Sequence, residues 1–533
     1  MTAVTTLAPH FRHHHHHHRN LLLNIRAINN IIKLLLLSFM LVFPSTSRAF
    51  ISSSTSSLTS RISSRHLTTT TTNHLRMSFQ PPDTPYPYTP PEWASPLTNN
   101  NNKVPKERLK LANLPTPVQL VISAKKNRRT NSSSSSSTKK TNSILSKLDE
   151  LNMKLYIKRD DATGGVELGG NKLRKLEFLL ADALTKGCDS VVTIGGEQSN
   201  HCRATAAAAR MVGLSPSLIL RTRRADKIHD HRHHCNETTA DYDDLLGFEG
   251  NILFDRMMGS SIYTCTPGEY GRVGSNKLVE HVCDYITATK DDGGISKPYA
   301  IPVGGSNGVG SWGYINAVDE LMNQMESMEQ DSSSSTSSSS DFNLDHVVFA
   351  TGSGGTAAGI SLGLSMAYGN LGQKSHPFAT DKSCPKLHAV GVCDNPTYFY
   401  DTMASIANEM GASSSLDTTT ADDQFIRDAV TVHNGKGRGY AQSTQEELDF
   451  ILQFSVETGI ALDPVYSGKA LYHFLTNVVE NDVESYRNKN VLFWHTGGAL
   501  GIYEKGNDLL QKFTEVSPVH RIDVYGSNGV KER

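Results

Sequence analysis

Ser190-Val-Val-Thr-Ile194 runs straight into Gly195-Gly-Glu-Gln198-Ser199-Asn200-His201, and an alanine-rich run from Ala204 to Val212 follows. The first segment reads as a strand, the second as a tight turn and the third as a helix. The same rhythm recurs along the chain. Ser217 to Arg221 is a second strand candidate. His346-Val-Val-Phe-Ala350 precedes a glycine-rich turn and the helical stretch Ala357 to Tyr368, and Leu387 to Val392 and Asn490 to Trp494 are further strands. Strand, loop, helix, strand is the pattern of a parallel sheet covered on both faces, so the expected class is α/β.

The chain has 533 residues, long enough for a large core. Its 52 Lys and Arg against 53 Asp and Glu leave a net charge of −1. Such a balance makes no case for nucleic acid or an anionic membrane as partner. Seven cysteines, scattered from Cys188 to Cys393 without a Cys-x-x-Cys pair, argue against a disulfide framework and for a reducing compartment.

No Asp or Glu precedes Asp83. Leu34 to Phe43 is apolar but shorter than the roughly 20 residues a membrane span requires, and suits a signal-peptide core. Ser45, Thr46, Ser47 and Arg48-Ala49-Phe50 follow, then a Ser/Thr/Arg-rich stretch to about Arg76 with transit-peptide composition. The join resembles the bipartite leaders of complex plastids. Residues 1–80 are therefore expected to be a leader to the plastid or mitochondrion, with no membrane span in the mature chain. A product starting at Met77 would be cytoplasmic. Residues 81–103, rich in Pro and Asn, read as a disordered linker.

Polar low-complexity insertions are expected near 127–142, 225–246, 331–341 and 412–421. One of them holds His229, His231, His233, His234 and Cys235. These crowd together without the spacing structural zinc prefers, so no metal is expected and the segment reads as a solvated loop.

Five segments carry candidate chemistry. In Gly169-Gly170-Asn171-Lys172, the lysine stands at the first turn of a helix whose apolar face is Leu173, Leu176, Leu180, Ala183 and Leu184. A helix N-terminus and burial both disfavour an ammonium there and push the lysine toward a nucleophilic amine. Read alone, it is an ordinary solvated lysine. Gln198-Ser199-Asn200-His201 offers backbone N–H groups and side-chain donors to a carboxylate or phosphate; read alone, it is a plain turn. Thr351-Gly352-Ser353-Gly354-Gly355-Thr356 suits a phosphate at a helix start. Its next glycine, Gly359, falls two residues late for a dinucleotide fingerprint, and it lacks the lysine of a triphosphate loop, so a cofactor monophosphate fits best. Leu462-Asp-Pro-Val-Tyr466-Ser467 and His495-Thr496-Gly497-Gly498 complete the set.

In this order the five segments resemble the D-cysteine desulfhydrase and 1-aminocyclopropane-1-carboxylate (ACC) deaminase family of fold type II pyridoxal-phosphate enzymes, from about Leu114 to Tyr503. The resemblance implies two open twisted parallel-sheet α/β domains, a large one from 104–174 and 311–533 and a small one from 175–310, and a homodimer. It implies that Lys172 holds pyridoxal 5'-phosphate as a Schiff base and that Asn200 bonds the cofactor's phenolic oxygen. Gly352, Ser353, Gly354, Gly355 and Thr356 match the phosphate loop. Gln198, Ser199 and His201 fall at the substrate carboxylate, and Tyr466 and Tyr440 match active-site tyrosines.

Two further positions divide the family. ACC deaminases typically carry Glu after the tyrosine, facing the pyridine nitrogen, where this chain has Ser467. They tend to have Leu where it has Thr496. A carboxylate keeps the nitrogen protonated and the ring a strong electron sink, which opening a cyclopropane needs. Ser467 and Thr496 resemble the desulfhydrase branch. The expected reaction is β-elimination of D-cysteine to pyruvate, hydrogen sulfide and ammonia, with Lys172 as general base. ACC deaminase, or another β-elimination from a small amino acid, is the alternative enzyme. A non-catalytic pyridoxal-phosphate sensor is the alternative of another class, and the intact Lys172, Ser199 and Tyr466 weigh against it.

Overall fold

The computed structural model describes residues 82–98, 103–121, 143–228, 246–289, 296–333, 342–412, 424–517, 519, 521–522 and 530–531. The chain divides into Met1–Met77 and Ser78–Arg533, and every described residue belongs to the second unit. The expected leader, the His229 to Cys235 cluster and the serine runs Ser132 to Ser137 and Ser413 to Thr420 lie outside the described residues.

Two sheets carry the architecture. In chain order the strands are β1 (Val118–Leu120), β2 (Lys154–Arg159), β3 (Ser190–Gly196), β4 (Ser215–Arg221), β5 (Ser261–Cys265), β6 (Pro298–Ala300), β7 (His346–Thr351), β8 (Lys386–Gly391), β9 (Thr431–Asn434) and β10 (Asn490–His495). Strands β9-β8-β7-β10-β2-β1 form one six-stranded sheet, and β5-β4-β3-β6 form a four-stranded one. The smaller sheet thus lies in the sequence between β2 and β7 of the larger. It is parallel throughout. In the larger sheet only the edge strand β1 departs from the expected parallel order, pairing antiparallel with β2. An antiparallel edge strand is common on otherwise parallel sheets.

The helices that matter to the site are α1 (Lys172–Thr185), α2 (Asn200–Met211), α3 (Gly308–Ser333), α4 (Gly355–Ala367), α5 (Pro396–Met410) and α6 (Ser467–His473). Burial explains their composition. Every residue of β3 and of α4 is buried, so neither shows an amphipathic face. Small residues let α4 approach α3 closely: a Cβ on Gly359 would stand 2.4 Å from the Tyr314 Cβ. The helix α3 runs to Ser333, into the start of the serine-rich insertion expected from 331.

The segment read as a disordered linker is, over residues 82–98, a packed part of the core. Tyr86–Pro87 pairs antiparallel with Glu107–Arg108. Trp93, Ala94 and Leu97 are buried with Phe178, Trp312 and Tyr314. The Tyr88 ring meets Phe178 edge-on at 4.8 Å, and Trp93 Nε1 donates to Asp319 Oδ1 at 3.0 Å. Proline-rich composition hid this because prolines lower the entropy cost of laying an extended chain on a surface, and the aromatics between them supply the burial. Replacing Trp93 by Ala should therefore lower unfolding free energy by about 3–5 kcal/mol, read by equilibrium urea denaturation. A loss under about 0.5 kcal/mol would restore the linker reading.

Candidate active site

The C-terminal ends of β3, β4, β7 and β10 converge on one cavity of about 200 Å³. A crevice at strand C-termini is where open α/β sheets bind ligands. Of the residues expected in the site, Lys172, Ser199, Asn200, His201, Tyr440, Tyr466 and Thr496 line it. Gly352, Ser353, Gly354 and Thr356 line it too. Gln198, Gly355 and Ser467 do not.

Lys172 is the first residue of α1. The loop before it is pinned from two sides. Thr163 Oγ1 bonds both the N–H and the carbonyl of Gly170, and the Asn171 N–H donates to the Thr496 carbonyl at 3.0 Å. Asn171 then links two parts of the site: its Oδ1 accepts from Lys172 Nζ at 2.8 Å and its Nδ2 donates to Thr356 Oγ1 at 3.0 Å. Two residues along α1, Arg174 grips the fully buried Asp160 through Nε and Nη2, at 2.9 and 2.7 Å. It also reaches Glu320, which takes a short bond from the buried Lys158. Two cations and two carboxylates thus balance beneath the helix start. Burial brings the Lys172 ammonium down to about 8; Asp463 opposes that shift and Arg203 adds to it. A large neutral fraction near pH 8 is what a nucleophilic amine requires.

The glycine-rich turn after β7 opens α4. Ser306 Oγ accepts from the Gly355 N–H at 3.2 Å and bonds Ser353 Oγ at 2.8 Å, holding the loop's shape. The Gly355 N–H is spent on that scaffold, and Gly355 falls outside the cavity wall. Lys175, buried one turn after Lys172, donates to the same Ser306 at 3.3 Å. Gly352 is required for packing, because a Cβ there would stand 2.8 Å from Tyr466 Cε1.

In the turn after β3, Ser199 caps α2, its Oγ accepting from the Cys202 N–H at 3.2 Å. That bond uses a lone pair and leaves the hydroxyl hydrogen for a ligand. His201 Nε2 stands 2.9 Å from Thr193 Oγ1, whose own hydrogen goes to the Ile301 carbonyl. Burial, with Lys172 and Lys175 nearby, holds this imidazole neutral, far below its usual pKa. Gln198 is held outside the cavity wall: its Oε1 accepts from the Asn251 N–H at 2.8 Å and its Nε2 donates to the Glu249 carbonyl at 3.0 Å. It positions a neighbouring segment and does not face the cavity.

Tyr466 ends the loop before α6. Its hydroxyl donates to the Tyr440 hydroxyl at 3.3 Å, and Lys172 Nζ lies 5.4 Å from its ring centroid. Ser467 is fully buried, and its Oγ donates to Asp463 Oδ1 at 2.6 Å. Asp463 also accepts from the N–H groups of Val465, Tyr466 and Ser467. It caps the start of α6 in the site's base, a role that its local sequence does not signal. Arg221, Tyr270, Tyr398, Cys393 and Asp394 also line the cavity unanticipated. Arg221 had a signal: it is the last residue of a strand that the sequence marked.

Asn200 Oδ1 and Thr351 Oγ1 are buried with no hydrogen-bond partner among the described residues, and both belong to the cavity wall. Buried polar atoms left open in this way suit a bound polar group. Together with the glycine turn and a depressed lysine, they fit a phosphate-bearing aldehyde. No group of three or more His, Cys, Asp or Glu suited to a metal occurs among the described residues. Nor is any described helix long and apolar enough to cross a membrane.

A family model described as pyridoxal-phosphate dependent enzyme matches residues 140–497. The chain is 39% identical over 419 residues to a protein of Arabidopsis thaliana named bifunctional D-cysteine desulfhydrase/1-aminocyclopropane-1-carboxylate deaminase, mitochondrial, covering 79% of this chain and 84% of that one. It is 30% identical to a D-cysteine desulfhydrase of Klebsiella pneumoniae, covering 67% of this chain and 90% of the relative. A crystal structure of an ACC deaminase homologue superposes with a TM-score of 0.53 at 28% identity, covering 79% of this chain and 99% of that one.

The lowered amine gives a signed expectation. Only the neutral form attacks an aldehyde, so the rate at which apoprotein captures pyridoxal phosphate should rise through about pH 8 and level off above it. Stopped-flow absorbance measures this. A rise still continuing above pH 10 would mean that burial does not depress Lys172.

Proposed function

Because the chain belongs to the pyridoxal-phosphate-dependent enzyme family, we propose that it is a lyase that converts D-cysteine to pyruvate, hydrogen sulfide and ammonia. The observation that carries the choice of substrate is at position 467. A hydroxyl stands there, bonded at 2.6 Å to the buried Asp463 carboxylate. The glutamate typical of ACC deaminases would bring a second carboxylate against Asp463, a like-charge contact that a buried site disfavours. The names of the Arabidopsis and Klebsiella relatives support the same reading.

When bound, pyridoxal phosphate supplies the electron sink for charge developing at the substrate Cα. Lys172 would hold it, the turn Gly352 to Thr356 would take its phosphate, and Asn200 and Thr496 would meet its ring, while Ser467 lies behind the cavity wall, bonded to Asp463. The remaining work belongs to side chains already in place. The α2 N-terminus and the free Ser199 hydroxyl hydrogen bind the substrate carboxylate. The neutral Lys172 amine removes the α-proton. The neutral His201 supports the wall beside it without adding charge. Tyr440 and Tyr466 stand paired to protonate the departing sulfur.

The division into a large domain (104–174 and 311–533) and a small one (175–310) belongs to the same proposal, as does a homodimer. So does import into the plastid or mitochondrion. The acid-free leader and the word mitochondrial in the Arabidopsis relative's name support an organelle. The second enzymatic reading, ACC deamination, is favoured by that relative's bifunctional name.

Protein loaded with pyridoxal phosphate, incubated separately with D-cysteine, L-cysteine and ACC, decides between them. Sulfide and pyruvate should form in equal amounts from D-cysteine, with turnover at least about a hundredfold above that of the other two. Replacing Lys172 by Ala should lower it by ~10³-fold or more. Keto acid from ACC at a comparable rate would make the chain a deaminase, and no keto acid from any substrate would reject the lyase.

A further inference from the structure

Arg221 ends β4 at the cavity with its guanidinium between two phenol rings, 4.7 Å from the Tyr270 centroid and 5.2 Å from that of Tyr440. It makes no salt bridge among the described residues, although the other arginines lining or underlying the site, Arg174 and Arg203, are tied to carboxylate or carbonyl oxygens. A cation on an aromatic face stabilises negative charge in that ring as well as the neutral quadrupole. Tyr440 is also the acceptor of its bond with Tyr466, so its own hydroxyl hydrogen is free. The ring sits where only a glycine leaves space: a Cβ at Gly196 would stand 3.1 Å from Tyr440 Cε1.

We infer that Arg221 is a positioning residue for acid catalysis: it holds Tyr440 as the group that protonates the leaving sulfur. The inference rests on the lyase reading above. As the Cβ–S bond breaks, sulfur departs with the bonding pair as hydrosulfide and takes the Tyr440 phenolic proton, giving hydrogen sulfide. The phenolate left behind is stabilised by the guanidinium on its face and by the hydrogen bond from Tyr466. After product release it regains a proton from water, and Lys172 returns to water the α-proton it removed. Four groups face Tyr440. Arg221 from β4 and Tyr466 from the start of α6 favour its ionised form, while Cys202 of α2 and Cys393 after β8 oppose it. Burial, the largest influence, keeps the phenol protonated in the resting site.

The test uses leaving groups that differ in their need for a proton. Chloride departs unaided, whereas hydrosulfide is a stronger base and gains from an acid. In Arg221→Met, kcat for D-cysteine should fall about tenfold relative to kcat for β-chloro-D-alanine, with KM for D-cysteine within about twofold. Loss of the cation should also move the alkaline limb of the kcat profile to higher pH, since the phenol becomes harder to ionise. Arg221→Lys keeps the charge and should recover most of the D-cysteine rate and the original limb. Equal losses on both substrates, unrepaired by lysine, would make Arg221 merely structural. A raised KM for both at unchanged kcat would make it a carboxylate anchor, and either result overturns the inference. Failure of the wild-type protein on both substrates would instead reject the lyase reading itself.

Discussion

Asp160 has no exposed surface, and widely separated parts of the chain close on it. Arg174 grips it from α1, Thr116 Oγ1 donates from the segment before β1, Tyr314 Oη from α3 and Trp494 Nε1 from β10. Removing either partner of such a buried pair leaves an uncompensated charge and costs about 3–5 kcal/mol. The geometry matters more than the energy. Lys172 precedes Arg174 by two residues, and Thr496 follows Trp494 by two, so one carboxylate sets both the helix that presents the amine and the turn facing it. The contact from the Asn171 N–H to the Thr496 carbonyl closes that arrangement.

The cavity built on this base divides its charges by position. Lys172 is drawn toward neutrality by burial, while Asp463, used up on α6 caps, restrains the drift. The glycine turn of α4 offers N–H groups without side chains in the way, and Ser306 ties that turn to Lys175. The tyrosine pair stands between Lys172 and Arg221, so the amine and the guanidinium approach it from opposite ends. In the proposed reaction the amine serves the α-carbon and the phenols serve the departing sulfur. That polarity is what a β-elimination needs.

The strands and the strand-turn-helix units were readable because apolar β-branched runs and glycine turns are local signals. That Lys172, Ser199, Asn200, Thr356 and Tyr466 line one cavity was readable for the same reason, each standing at a turn where a helix starts. Gln198 lies in an equally good local pattern, but its amide is taken by Asn251, far along the chain, and no local signal encodes that. The Ser467 hydroxyl is held by Asp463, and only the packed turn shows it. Arg174, Asp160 and Glu320 form their cluster entirely by tertiary contact, so sequence spacing gave them no role. Residues 82–98 were misread by composition: prolines dominated the count, while Tyr88 and Trp93 determined the burial.

Everything in the site turns on Lys172 being the amine that carries the cofactor, with Lys175 and Lys469 buried nearby for other reasons. Borohydride reduction of the pyridoxal-phosphate-loaded protein, followed by peptide mass mapping, reads this directly. A phosphopyridoxyl group on Lys172 alone is the expected result. The group on Lys175 or Lys469, or no stable adduct at all, would contradict it.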